Sequence, residues 1–530
     1  MPAAEAPWAA RAGAGPGGER TVPAVLRTRL RLDAAREAVV DDERSVTYAE
    51  LDDASRTLAT ALVAAGVRKG SRVGLLAPNG VDWVVAAVAV TRIGAVLVPL
   101  STLLRPPELL AQLREASVSH LIAVPAFRNR RYLDELEEAA PGLTGGRRHV
   151  GVPHLRAVWS TEALPGAAAP AGVRAALEDA VRPADDLVIL FTSGSRGRPK
   201  GVVHTHGSAL FATASGLDAR CVGHGERLYL PMPFFWTGGF GPGVLSALLA
   251  GATLLTEAEP EPGRTIRFLE RTGATLFRGW PDQAERLAAH PSFAGADLSR
   301  LGPGSLPAIL PDDVRPAPGA RANVFGMTET LGPYCGARLD VDLPVGKEGS
   351  CGQPFDGVDV RIVDPDSGAV RGPGEDGEIR VRGRGLLRTI CGRSRADVFD
   401  RDGFYPTGDL GTLDADGYLW YRGRRDDMFK VSGASVYPVE VETALRSLPG
   451  VSEAHVTDHL DDDVRRVAAV VVTRLDPGTL ADGVRQRLSA FKVPTRWVVL
   501  DDPADVPRLA SGKVDLDALR GLIVTASVRA

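Results

Sequence analysis

Only six of the chain's 62 basic residues are lysines, and they are not scattered. Lys200 closes the run Thr192-Ser193-Gly194-Ser195-Arg196-Gly197-Arg198-Pro199-Lys200-Gly201. Lys430 ends Gly423-Arg424-Arg425-Asp426-Asp427-Met428-Phe429-Lys430. Lys492 lies in Phe491-Lys492-Val493-Pro494, and Lys513 follows Ser511-Gly512. A chain that writes nearly every solvent cation as Arg keeps Lys for work that needs a compact ammonium on a flexible stem. Neutralising a phosphate or a developing carboxylate charge is such work. The loop before Lys200 suits the same chemistry. Its glycines allow close backbone approach, and Thr192, Ser193 and Ser195 supply hydroxyls, so it can wrap the terminal phosphates of a nucleotide. A plain flexible turn would read the same in isolation. It is not a Walker A loop, because Gly201 and not Ser or Thr follows Lys200.

Further motifs follow in a fixed order: Thr47-Tyr48-Ala49-Glu50-Leu51, the loop ending at Lys200, Phe325-Gly326-Met327-Thr328-Glu329, Tyr405-Pro406-Thr407-Gly408-Asp409, the segment from Gly423, and Gly512-Lys513. Each alone is weak. Together, in this order, they resemble the acyl-adenylate-forming superfamily of acyl-CoA ligases, luciferases and peptide-synthetase adenylation domains, and among these an acyl-CoA ligase most. The resemblance runs from about Thr47 to Arg520.

The resemblance implies roles for named residues. Thr192, Ser193, Gly194, Ser195, Gly197 and Lys200 bind ATP phosphates. Phe325, where relatives usually have Tyr, stacks on adenine beside Gly326 and Gly304. Thr328 contacts phosphate and Glu329 binds Mg²⁺, a hard cation that takes carboxylate oxygen. Asp409 accepts both ribose hydroxyls, with Arg424 as its cation. Lys513 bridges carboxylate and α-phosphate as adenylation lysine, where transition-state charge concentrates. Asp426 is the hinge on which the small C-terminal domain swings, and Gly433 lets a pantetheine arm pass. The acyl pocket falls on Phe234, Phe235, Trp236, Gly238 and Trp280. An Asp that would hold an α-ammonium is missing from 230–239, which disfavours an amino acid and points to an apolar acyl or aryl group. Arg278 falls in the pocket region by the resemblance; it reads as a surface residue first and as a contact for a polar substituent second. The chain departs from the family pattern at Arg196 (usually Thr), Trp236 (often His), the 302–305 loop (usually Gly-Gly-Ala), and Val514-Asp515-Leu516-Asp517 after the terminal lysine (often basic).

The implied activity is ATP-dependent conversion of a carboxylic acid to acyl-AMP with pyrophosphate release, then transfer to a thiol, CoA first. Loading a separate carrier protein, stopping at acyl-AMP, or activating a non-standard oxyacid remain alternatives. A relative that only binds nucleotide is disfavoured, since Lys513, Glu329 and Asp409 are all present. The implied cofactors are ATP, Mg²⁺ and CoA; the partners are a small acid and CoA or a carrier protein.

Composition agrees. A length of 530 residues exceeds what one core supports. A net charge of −4 gives no footprint for nucleic acid. Four cysteines stand far apart without a C-x-x-C pair, so neither a zinc site nor a disulfide framework is indicated, and a cytoplasmic location is expected. The most apolar stretch, 81–100, holds Asp82 and Arg92. It reads as a buried helix to about Arg92 and then a strand at 95–99, with no membrane span.

Three regions must position these residues. Short apolar runs at 72–77, 95–100, 120–124, 187–191, 227–232, 252–256, 274–277 and 323–325 alternate with helix-length segments. This is an α/β layout of two largely parallel sheet subdomains. From about Val358, strands at 358–363, 378–382 and 418–421 without intervening helices suit a small β-barrel-like subdomain. A compact, mobile α+β unit follows: a helix from Pro438, strands at 467–472 and 497–500, and a helix near 480–488. The expected division is a disordered leader 1–21, an AMP-binding domain 22–425 and a C-terminal domain 426–530 carrying Lys513.

Overall fold

The structure is a computed structural model that describes residues 21–164, 166, 170, 172–192, 200–425, 427–431, 434–461, 464–488, 490–509, 512–526 and 528–529. Most of the expected leader therefore lies outside it. Thr21, assigned to that leader, instead caps the first helix, Val22–Asp33, its hydroxyl accepting from the Ala24 N–H. The described chain forms two compact units. One comprises residues up to 359 together with 382–403; the other comprises 360–381 and 404 onward.

The first unit is built on two mixed α/β sheets. The seven-stranded sheet runs Thr389–Ile390, Lys200–Thr205, Asp186–Thr192, Val96–Pro99, Arg72–Leu76, His120–Ala123, Ala157–Ser160. Its last five strands are parallel; Lys200–Thr205 runs antiparallel to Asp186–Thr192. The five-stranded sheet runs Leu276–Phe277, Arg227–Tyr229, Thr253–Leu255, Glu37–Val40, Ser45–Thr47.

Local chemistry explains the joints. In the segment Thr47–Leu51, Thr47 and Glu50 form a reciprocal capping box at the start of helix Tyr48–Ala64. Hydrogen bonds from the Thr47 backbone and hydroxyl hold the Glu50 carboxylate below its usual range. The Tyr48 ring is buried, and its hydroxyl donates to the carbonyls of Ala247 and Ala252, tying this helix to the second sheet's layer. Helix Val81–Arg92 is apolar on every face because it is buried on every face, apart from Asp82 near its start. Its one buried charge, Arg92, pairs with Asp52 at 2.8 Å and Glu178 at 3.0 Å and donates to Ser55. That network supplies the counter-charges a buried guanidinium requires. Among the described residues no helix is long and apolar enough to cross a membrane.

The strand expected at 323–325 is a correction. It begins at Phe325, ends at Met327, and belongs to neither α/β sheet. It pairs antiparallel with Gly332–Gly336, which pairs with Gln353–Pro354. Thr328 and Glu329 thus sit in a hairpin turn, Thr328–Thr330, and not at the end of a parallel strand.

A four-stranded sheet ordered Val358–Val363, Gly377–Gly383, Tyr405–Leu413, Leu419–Arg424 falls mainly in the second unit. A hairpin, Phe429–Val431 with Ala434–Val436, follows. Strands Val451–Asp461, Val464–Thr473, Arg496–Leu500 and Val528–Arg529 form a final sheet with helices Pro438–Arg446, Pro477–Arg485 and Leu516–Ala526. Its core is Val, Leu and Ala side chains with Phe429 and Trp497. Strand Val451–Asp461, the longest here, was not expected from the sequence.

Candidate active site

Consider first the residues of the first unit. Thr192 and Lys200 are register partners at the ends of an antiparallel pair, so the two ends of the Gly/Ser segment are fixed side by side. The Lys200 side chain is exposed. Ser193, Gly194, Ser195 and Gly197 lie outside the described residues.

The strand that leaves Lys200 carries a residue the sequence reading missed. His204 is wholly buried, and its Nε2 lies 2.8 Å from the Thr328 carbonyl oxygen. A carbonyl only accepts, so Nε2 carries the proton and the buried Nδ1 is a bare acceptor without a partner. Burial pushes this imidazole down to about 4, so it stays neutral and the contact persists at neutral pH.

The turn held this way carries Thr328 and Glu329. Glu329 is 8% exposed, and its own carbonyl accepts from the Leu387 N–H at 2.8 Å. The Thr328 hydroxyl receives a 3.0 Å hydrogen bond from Thr237, in the segment expected to form the acyl pocket. The hairpin leading into the turn requires its glycine. A Cβ at Gly326 would meet the Gly332 carbonyl oxygen at 2.1 Å, so the two strands approach closely only because Gly326 has none. Phe325 is half-buried, its ring edge-on to Tyr334 at 5.7 Å. Among the described residues no three His, Cys, Asp or Glu side chains converge on a metal position. A Mg²⁺ ion here would take one carboxylate from Glu329 and its other oxygens from phosphates and water, a coordination that suits Mg²⁺.

The expected pocket residues divide. Phe234 is 0% exposed. Its ring packs edge-on to Trp83 at 5.3 Å and its N–H donates to Asn79 Oδ1 at 2.8 Å. It is a core residue, and the expectation that it lines a pocket is corrected by that packing. Phe235 is buried too, edge-on to Trp236 at 5.3 Å. Trp236 is half-buried and meets Trp280 at 5.7 Å, and Trp280 is 40% exposed. These two indoles are the accessible aromatic surface. Gly238 lies against the Met232 side chain. A Cβ at Gly239 would strike the Pro233 carbonyl oxygen at 2.1 Å, so this turn closes only on glycine. The chain then enters a π-helical turn, Phe240–Leu245, where Pro242 supplies no N–H to a tighter helix. A Cβ at Gly304 would lie 2.9 Å from Cys221 Sγ, so the 302–305 loop packs directly on Cys221.

Arg278, expected at the surface, is half-buried, with its Nε enclosed. Its backbone N–H continues the strand register to the Tyr229 carbonyl, and its Nη2 donates to the Arg220 carbonyl at 2.9 Å.

The second unit holds the other expected residues. Asp409 is 5% exposed. Its Oδ1 lies 2.9 Å from Arg424 Nη1, which also donates to the Thr407 carbonyl at 3.0 Å. Asp409 and Arg424 are cross-strand partners, so the sheet register itself makes the pair. Lys513 is exposed on a tight turn in which the Leu509 N–H donates to the Lys513 carbonyl at 2.7 Å and the Gly512 N–H to the Leu509 carbonyl. Asp426 and Gly433 lie outside the described residues.

Comparison with known proteins identifies the family. The family model "AMP-binding enzyme" matches residues 26–390, and "AMP-binding enzyme C-terminal domain" matches 440–513. The chain belongs to the AMP-binding enzyme family, whose members are the adenylate-forming enzymes that its motifs resemble. Its relatives include a (methyl-dioxo-octahydro-indenyl)propanoyl:CoA ligase of Mycobacterium tuberculosis, 33% identical over 95% of this chain and 99% of that one. A feruloyl-CoA synthase of an Amycolatopsis species is 33% identical over 92% of this chain and 96% of that one. Among solved structures, the O-succinylbenzoate coenzyme A synthetase of Bacillus subtilis, with ATP and magnesium ion, is 26% identical over 94% and 99% of the two chains, with a TM-score of 0.76.

Proposed function

We propose that this protein is an acid–thiol ligase that activates an apolar acyl or aryl carboxylic acid with ATP and transfers it to CoA. The observation that carries this reading is the 3.0 Å hydrogen bond between Thr237 and Thr328, which ties the aromatic pocket segment to the turn bearing Glu329. An acid beside Trp236 and Trp280 would have its carboxylate near the groups suited to phosphate and Mg²⁺. The relatives support the class: they are named CoA ligases, and one was solved with ATP and magnesium ion.

In this mechanism a carboxylate oxygen attacks the α-phosphorus of ATP, and the bond to pyrophosphate breaks. Thr192, Ser193, Gly194, Ser195, Gly197 and Lys200 hold the departing phosphates, Phe325, Gly326 and Gly304 border the base, and Asp409 takes the ribose hydroxyls with Arg424 at its side. Glu329 would hold a bound Mg²⁺, which would supply charge neutralisation at the phosphates. Lys513 places its ammonium where charge grows between carboxylate and α-phosphate. In the second half the CoA thiolate attacks the acyl carbon, and the acyl–oxygen bond breaks to release AMP. Division into domains 22–425 and 426–530, with Asp426 as hinge and Gly433 beside the pantetheine arm, allows each half its own arrangement. A cytoplasmic location fits these substrates.

A panel of aryl and alkyl carboxylic acids, assayed with ATP and Mg²⁺ for pyrophosphate and with CoA for thioester, tests this. The expected result is acid-dependent pyrophosphate release and a CoA thioester. Pyrophosphate without thioester would move the proposal to carrier loading or to acyl-AMP as product. No release with any acid would overturn it.

A further inference from the structure

Two arginines beside the expected acyl pocket, one buried and one half-buried, have no counter-ion among the described residues. Arg220 is 6% exposed. Its guanidinium donates to the carbonyls of Gly216, Thr213 and Pro242 and to the Ser246 hydroxyl, all neutral acceptors. Arg278 donates only from Nη2, to the Arg220 carbonyl, and its buried Nε has no partner. Among the described residues neither guanidinium is paired with a carboxylate. The carboxylate that acts on Arg278, after the Cys221 thiol, is Asp340, and it is already held by Arg338 at 2.7 Å. Burial lowers Arg278 to about 10 and Arg220 to about 9, and Arg220 also feels the like charge of Arg278. Buried guanidinium groups are ordinarily matched by acceptors of opposite charge, as Arg92 is in this molecule.

The strand Leu276–Phe277 ends just before Arg278, and Phe277 packs into the cluster with Tyr229, Phe268 and Leu287. Trp280, two residues past Arg278, meets Trp236. Arg278 donates to the Arg220 carbonyl and acts on the next residue, Cys221, against which Gly304 of the 302–305 loop packs. An under-compensated cation thus lies two residues along the chain from the aromatic surface and beside the residue on which the 302–305 loop packs.

Resting on the reading that Trp236 and Trp280 border the acid, we propose that Arg278 forms a second anion subsite in the acyl pocket. The preferred acid then carries a further carboxylate beyond its apolar or aryl body. The activated carboxylate lies toward Thr328, and the second meets the free donors of Arg278. A charge-assisted contact of this kind discriminates by roughly 10–100-fold against a neutral isostere.

The test compares dicarboxylic acids with their own monomethyl esters, which keep the size and lose one charge. Terephthalate and para-carboxycinnamate with their esters serve, assayed by kcat/KM for pyrophosphate release. In the wild type the diacid should be favoured by roughly 10–100-fold. In Arg278→Leu the diacid-to-ester ratio should fall toward one, and Arg278→Lys should retain part of it. A purely structural role would lower both members of a pair equally and leave the ratio unchanged. Melting temperatures identify a variant that has lost its fold, in which case the ratio is read from Arg278→Lys and Arg278→Gln. Equal use of acid and ester by the wild type, a preference for the ester, or rejection of both while simple aryl acids are turned over would overturn the inference. Failure of every acid to release pyrophosphate would instead overturn the proposed function on which it rests.

Discussion

At the scale of single residues, the groups proposed for chemistry differ in how firmly they are held. Asp409 is buried and braced through Oδ1 by Arg424, its cross-strand partner, so its carboxylate is oriented before any ligand arrives. Asp409→Ala would remove both the acceptor for ribose and the partner of Arg424. ATP affinity measured by titration calorimetry should fall about 10–100-fold, the worth of a lost charge-assisted contact. Near-normal affinity would remove Asp409 from the nucleotide site. Such residues were legible in the sequence because type and spacing carry the signal: a scarce lysine after Ser-Gly, or an Asp closing Tyr405–Gly408. His204 was not legible, and Arg278 was placed near the pocket only through the resemblance. Whether an Arg on a strand end meets solvent or a neighbouring backbone depends on loops about 60 residues away along the chain, and no local pattern encodes that.

At the scale of elements, the departure at 323–327 is instructive. The apolar run Val324-Phe325 reads as one more strand of an alternating α/β pattern. What decides otherwise is Gly326, whose missing Cβ admits Gly332 at close range and allows an antiparallel hairpin. The turn of that hairpin is then held from the neighbouring sheet by His204 at the Thr328 carbonyl and from the pocket segment by Thr237 at the Thr328 hydroxyl. His204 is therefore a positioning residue. His204→Leu should lower kcat for pyrophosphate release by about five- to tenfold, roughly 1 kcal/mol for one lost hydrogen bond, with KM for the acid little changed. His204→Gln, which restores an N–H donor, should recover part of that loss. Equal rates in the two variants at equal stability would leave His204 with a packing role only. By contrast, helix Val81–Arg92 and strand Val358–Val363 were readable because their hydrophobic periods are long and end at clear breakers.

At the scale of the whole molecule, three buried imidazoles set an acid limit on stability. His120, His204 and His206 are each lowered to about 4, chiefly by burial. The unfolded chain takes up their protons near the ordinary value of 6.5, and the folded chain does not until about 4. Stability from these groups is thus complete above about pH 6.5 and is lost as pH falls toward 4, by roughly 3 kcal/mol for each fully buried ring. The melting temperature should drop steeply between about pH 6.5 and about pH 4.5, and more gently in His204→Gln, which cannot titrate. A flat profile would contradict these burials. The chain's division into two units has a chemical counterpart. The groups proposed for phosphate, metal and acid lie in the first unit, while Asp409, Arg424 and Lys513 lie in the second. Lys513, exposed on the turn closed at Leu509, is proposed to act in only one of the two half-reactions. The most direct measurement follows both halves in Lys513→Ala, using an acid found by the panel and its preformed acyl-AMP. Adenylation, read as pyrophosphate release, should fall by about 10²–10³, while thioester formation from supplied acyl-AMP and CoA should stay within a few-fold of wild type. Equal loss in both halves would contradict the account, reducing Lys513 to a general binding or stability residue.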